Sequence, residues 1–243
     1  MYAVYLFSMQ SPQPQHPQQA SQSLSAFTRL SPDLLDRPAP PAFSLAALSG
    51  RLAEVSGTGS SCPTSFVFLL VREAQEKGVL VAWVLVRPQA QGGSPFLAED
   101  LQRLGLDLLA FPLVSTQDLG EAGRAVTHLL RSGAFGLVVL DTLELDEVEL
   151  PLPLMSRLHG LALRHRAALV VLTGRPPESP SLGSLVAFRA HVRRERERLA
   201  HPDGLTRIHA TLTVDKDKRH GPGLTVSQLF AAPPGFLGPA RGS

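Results

Sequence analysis

The sequence predicts an α/β protein: a mostly parallel, twisted sheet with helices on both faces, extended by a C-terminal antiparallel hairpin. Three observations carry this. The apolar runs 79–86 (VLVAWVLV), 134–140 (AFGLVVL) and 167–172 (AALVVL) are continuous rather than alternating, as strands buried on both faces are. Amphipathic stretches of helical length separate them, which is the pattern of repeated strand–helix–strand units. In the last third the period changes to two, with Ile208, Ala210, Leu212 and Val214 alternating with Arg207, His209, Thr211 and Thr213.

The elements follow in order. A strand at 52–56 runs into a loop at 57–63 and a helix over 64–77, which Gly78 terminates. Strand 79–86 leads through a Pro/Gly-rich loop to a short helix over 96–104, and a strand is expected at 107–111. Helix 117–131 stops at Gly133 before strand 134–140, which ends on Asp141. Helix 154–166 precedes strand 167–172. Alternation of Val186, Phe188, Ala190 and Val192 predicts a strand at 185–192, and the hairpin pairs 206–214 with 224–230 around the turn DKDKRHGPG. This core domain spans 43–232.

The flanks read differently. Residues 1–23 are Gln/Pro-rich with little to bury and are expected to be disordered, with Met9 an alternative start to Met1. Residues 24–42 place Phe27 and Leu30 among leucines at helical spacing before a Pro-rich linker, the pattern of a docking or oligomerisation helix. The tail 233–243 is flexible in composition and presents Phe236-Leu237 as a short hydrophobic docking peptide. A single cysteine, Cys62, allows no internal disulfide, and a cytoplasmic location is expected. The formal net charge of +2 is too small to argue for nucleic acid. No apolar run approaches the length of a membrane span.

The informative segment is GTGSSCPT, Gly57 to Thr64, between a strand and a helix. A phosphate-binding loop reads G-x-x-x-x-G-K-[ST] in this context: backbone N–H groups cradle phosphate, the lysine neutralises it and the hydroxyl binds magnesium. Gly57 and Thr64 stand at the required spacing, but Cys62 replaces the second glycine and Pro63 the lysine. Proline removes both an ammonium and an N–H donor. Two lost contacts to charged groups, at about 1.5–3 kcal/mol each, weaken binding roughly 10²–10⁴-fold. The loop is therefore expected to be vestigial, with Asp141 as the matching vestigial carboxylate after the later strand. No catalytic residue, metal or cofactor is expected. A thiol of lowered pKa at Cys62 is the weaker alternative to a small buried filler.

In order and spacing, GRLAEVSGTGSSCPTSFVFLLVREAQEKGVLVAWV (50–84), RSGAFGLVVLDT (131–142) and TRIHATLTVDKDK (206–218) resemble the core of the RecA recombinase. Where that resemblance places the catalytic glutamate the chain has Arg87-Pro88, and where it places the γ-phosphate sensor it has Thr173-Gly174. The stretches matching the two DNA-binding loops are short, one acidic (Glu144, Asp146, Glu147, Glu149) and one Pro-rich (174–184). A RecA-like core without this chemistry looks like the ImuA family of the damage-induced mutagenesis cassette. That resemblance implies a non-catalytic adaptor in translesion synthesis, with RecA, ImuB and an error-prone replicative-type DNA polymerase as partners. The alternatives are a SulA-like inhibitor of cell-division filaments and a residual NTPase using Thr64 and Asp141.

Lys216 and Lys218 match the RecA lysines that reach ATP across a subunit interface, and are expected to meet an acidic partner here. The alternative is a solvated turn. The arginines of 189–199 are interleaved with Glu195 and Glu197, which reads as a charged solvent-facing segment with at most weak, salt-sensitive DNA binding. Self-association or docking on RecA is expected of 24–42.

Overall fold

In the computed structural model, residues 3–5, 43–59, 61–88, 96–195 and 207–231 are described. Phe27, Leu30, Phe236, Leu237, the 24–42 helix, the tail and the arginines beyond Glu195 lie outside them. The strands are β1 (Ala3–Tyr5), β2 (Leu52–Ser56), β3 (Leu80–Val86), β4 (Leu113–Thr116), β5 (Phe135–Asp141), β6 (Ala168–Thr173), β7 (Phe188–Glu195), β8 (Arg207–Asp217) and β9 (Thr225–Ala231). The helices are α1 (Leu45–Leu48), α2 (Pro63–Glu76), α3 (Ala98–Arg103), α4 (Leu119–Ser132) and α5 (Leu152–His165). No helix among the described residues is long and apolar enough to cross a membrane.

Among the described residues, nine strands form one sheet in the order β1-β4-β3-β5-β6-β2-β7-β8-β9. From β4 to β7 neighbouring strands are parallel; β7–β8–β9 is the antiparallel extension predicted from the alternating segment. Side-chain alternation splits the core into two layers. Val81, Trp83 and Leu85 of β3 face α1, α2 and α3, with Phe66, Phe68 and Leu101 in the same layer. Val84 and Val86 face the other way, toward α4 and α5, with Val126, Leu130 and Leu158. Both faces of the parallel strands are thus covered, which is why those strands read as unbroken apolar runs.

The helix ends follow local chemistry. Asp118 caps α4 by accepting from Glu121 N, and Gly133 closes it at φ 68°. Pro63 begins α2, where a missing N–H costs nothing.

Three differences from the sequence expectation have physical reasons. Residues 107–111 form a turn, and the strand begins after Pro112. Gln75 of α2 holds that turn, donating to Asp107 O at 2.9 Å and accepting from Asp107 N at 2.9 Å, so Leu108 and Phe111 pack inward without strand pairing. Residues 3–5, within the stretch expected to be disordered, pair antiparallel with β4. The hairpin strand β8 runs on to Asp217 because a register shift between Arg189 and Ala190 turns that aspartate inward.

Asp217 then meets Arg51, the residue preceding β2, in a buried ion pair. Arg51 also donates to Ala187 O (2.7 Å) and Ala47 O (3.2 Å), and its guanidinium lies 5.9 Å from the Phe188 ring centre. Burial alone would raise the Asp217 pKa, but hydrogen bonds from Arg219 N, Arg51 and His220 outweigh it and hold the carboxyl at about 2. A folded pKa below the unfolded value adds stability that is complete above the ordinary carboxylate range and lost as pH falls toward 2. Asp217→Ala should cost about 3–5 kcal/mol, because it leaves Arg51 buried and unpaired. Urea titrations at pH 7 and pH 2.5 should show that difference shrinking in acid.

Candidate functional site

The C-terminal ends of parallel strands are where an α/β sheet presents loops to a ligand. Gly57 follows β2, Arg87 follows β3, Asp141 ends β5 and Thr173 ends β6, so one edge of the sheet collects the residues singled out from the sequence. Gly57 N donates to Thr173 O at 3.1 Å, fixing the start of the loop against β6.

Cys62 sits at φ 64°, ψ 43°, left-handed and immediately before α2, one of two non-glycine residues among those described with positive φ. An L-residue pays roughly 1–2 kcal/mol for that conformation. The conformation persists because α2 begins at Pro63 and the chain must turn tightly to reach it. Burial pushes the Cys62 thiol above its usual pKa, with Arg194 opposing, so the site does not activate it.

The interior of the loop is filled by its own side chains. A Cβ built on Gly57 would stand 2.2 Å from Ser61 Oγ and 3.0 Å from Pro63 Cδ. Ser61 is buried, and its hydroxyl has no hydrogen-bond partner among the described residues. Thr64 and Asp141 line one cavity of about 150 Å³ with Leu85, Val86, Arg87, Phe96, Leu143 and Glu144. Sites for drug-sized ligands are roughly 300–1,000 Å³. The cavity is smaller than that range.

Asp141 and Arg87 have local partners instead. Asp141 Oδ2 accepts from Trp83 Nε1 at 3.2 Å and Oδ1 from Leu143 N at 3.1 Å. Burial raises its pKa to about 6, with these two donors opposing and Glu144 adding to the rise. Arg87, where the resemblance places a catalytic acid, pairs through Nε with Glu144 Oε1 at 3.1 Å.

The two loops beside this edge are anchored to the sheet. Arg175 donates to Pro180 O (2.8 Å) within loop 174–184 and to Val148 O (3.3 Å) in the preceding loop. Arg189 donates to Ser179 O and, at 3.3 Å, to Pro176 O. Its Nε lies 3.8 Å from Glu54, a fully buried carboxylate on β2 that accepts from Leu182 N at 3.0 Å. Desolvation raises the Glu54 pKa; Leu182 N and the cations Arg189, Arg175 and Lys216 oppose it.

The two hairpin lysines differ in role. Lys218 donates to Ser184 O at 2.7 Å, while Lys216 stands beside Glu54, Arg189 and Lys218, its pKa lowered first by burial and then by Lys218. The sequence reading missed Glu54 and the pair His191 Nδ1–Asp215 Oδ1 at 2.8 Å, and it placed Arg189 on a solvent-facing segment, whereas Arg189 is buried beside Glu54 because β7 is enclosed between β2 and β8. The available signal was a charge flanked by apolar residues in each segment, Glu54 in LAEVS and Arg189 in FRAHV.

The chain is similar to RecA of Agrobacterium fabrum, 30% identical over 62% of this chain and 47% of that protein. RecA of Cytophaga hutchinsonii is 26% identical over 71% of this chain and 56% of its own length. RecA of Allorhizobium ampelinum is 35% identical over 38% of this chain and 24% of its own. The chain thus spans about half the length of the first two relatives, and these matches support a RecA-like family. No protein-family profile matches.

Two measurements test the site. Cys62→Gly should be more stable than Cys62→Ala by about 1 kcal/mol, although alanine is the closer mimic, because only glycine relieves the left-handed strain. Thermal melts of both variants decide it. Trp83 is the sole tryptophan and touches Asp141, so its emission should titrate with a midpoint near pH 6, and Asp141→Asn should abolish that transition. Because the folded pKa is the higher one, the contribution of Asp141 to stability falls as pH rises through about 4 to 6.

Proposed function

We propose that this RecA-like chain is a non-catalytic accessory protein of damage-induced translesion DNA synthesis, working through contacts with RecA, ImuB and an error-prone polymerase. The observation that carries the reading is the loop: its backbone turn is retained while Pro63 and Ser61 fill the space against Gly57. The Arg87–Glu144 pair at the position of the catalytic acid supports it, since a hydrolytic site needs a free carboxylate to orient water. Loops 142–151 and 174–184 support it as well. Their exposed charges include Glu144, Asp146, Glu147, Glu149 and Glu178, which disfavour a phosphate backbone.

Thr64 and Asp141 sharing one cavity is the single observation in favour of a residual NTPase. The carboxyl of Asp141 is held by the Trp83 and Leu143 donors with its pKa raised to about 6 by burial, which weakens it as a metal ligand. Titration calorimetry should show no ATP binding tighter than about 1 mM. DNA-stimulated hydrolysis above a Thr64→Ala control would sink the proposal.

Lys216 is the better probe of partner contact, because Lys218 is tied to Ser184 O. Lys216→Ala should weaken RecA or ImuB binding by about 1 kcal/mol, roughly fivefold, in surface plasmon resonance. Unchanged affinity for both would remove this lysine from the interface. Binding to the division tubulin homologue instead would favour the SulA-like alternative.

A further inference from the structure

The two ends of the sheet are treated differently. At one end β1 covers the edge of β4. At the other, β9 has a partner strand on one side only among the described residues, its pairing with β8. Natural edges are protected by charge, proline, bulges or shortness. β9 is seven residues, TVSQLFA, with no charge and no proline, and its ladder with β8 runs from Thr225 to Ala231 without a register shift. Such a strand offers a row of backbone donors and acceptors to another strand.

The side chains say which occupant fits. Phe230 is buried and stacks edge-on against Phe66, 5.4 Å between ring centres, and Val226 is half-buried at the rim of the same core layer. On the opposite face Ser227 is exposed and Leu229 half-exposed. Antiparallel pairing of two β9 strands about Gln228 sets Val226 opposite Phe230 of the other copy, and Ser227 opposite Leu229. Val226 is then covered and the core layer continues across the twofold axis, with no charge brought against charge. The chain's own tail is a poor competitor, because Pro233, Pro234 and Pro239 lack the N–H groups a ladder needs.

We propose that the β9 edge is a self-association surface, joining two copies through antiparallel β9–β9 pairing into one continuous sheet. The pairing is short, so the dimer is weak and concentration-dependent. Sedimentation equilibrium on the full chain should detect it, and Leu229→Lys should raise the dissociation constant by about tenfold or more. Mixing Leu229→Lys with Ser227→Glu should restore a heterodimer, since the new lysine and glutamate then face each other across the strands. Unchanged thermal melts of the two variants establish that each is folded. A wild-type chain that stays monomeric at all concentrations overturns the proposal, as it would if a segment of the same chain covered β9. A dimer insensitive to both substitutions also overturns it.

Discussion

The constraint on which the rest of the molecule depends is the burial of β2. Every residue of Leu52–Ser56 is enclosed, with β6 on one side, β7 on the other and helices on both faces. A carboxylate in such a strand has to be satisfied from within. Glu54 is that carboxylate, and it is met only in part: Oε2 accepts from Leu182 N and lies 3.8 Å from Arg189 Nε, while Oε1 has no hydrogen-bond partner among the described residues. Arg189 comes from the paired position on β7, and Leu182 N from the loop after β6. Arg51, one residue before the strand, is buried for the same reason and draws in Asp217 from the far hairpin. Two charged residues on or beside one short strand thereby fix a loop and a turn that are remote in sequence.

The nucleotide-loop region follows from how strand, turn and helix must join. The chain leaves β2 and enters α2 within six residues, and it makes the last turn through a left-handed residue at position 62. That geometric demand is independent of phosphate. Once the lysine position holds proline, its ring packs toward Gly57, and the space becomes part of the fold.

Much of this was legible in the sequence. Unbroken apolar runs located β3, β5 and β6 to within one residue, β7 lies three residues beyond the expected 185–192, and glycines 78, 105 and 133 marked helix ends, each at positive φ. Gly57, Cys62, Pro63, Thr64 and Asp141 were recognisable and do come to one edge of the sheet. What was not legible depends on register and distant partners. Asp217 sits between Lys216 and Lys218 in a segment that reads as a polar turn, and only the shift between Arg189 and Ala190 turns it inward. The turn at 107–111 has strand-like residues, but its backbone groups are claimed by Gln75 of another helix.

Arg175 carries a consequence for mechanics. One guanidinium holds the carbonyl of Val148 and that of Pro180, so the loop after β5 and the loop after β6 share a single hub. Neither can be displaced without straining a bond to the other. The two surface segments are thereby coupled, and a partner approaching this end of the sheet meets them as one joined relief.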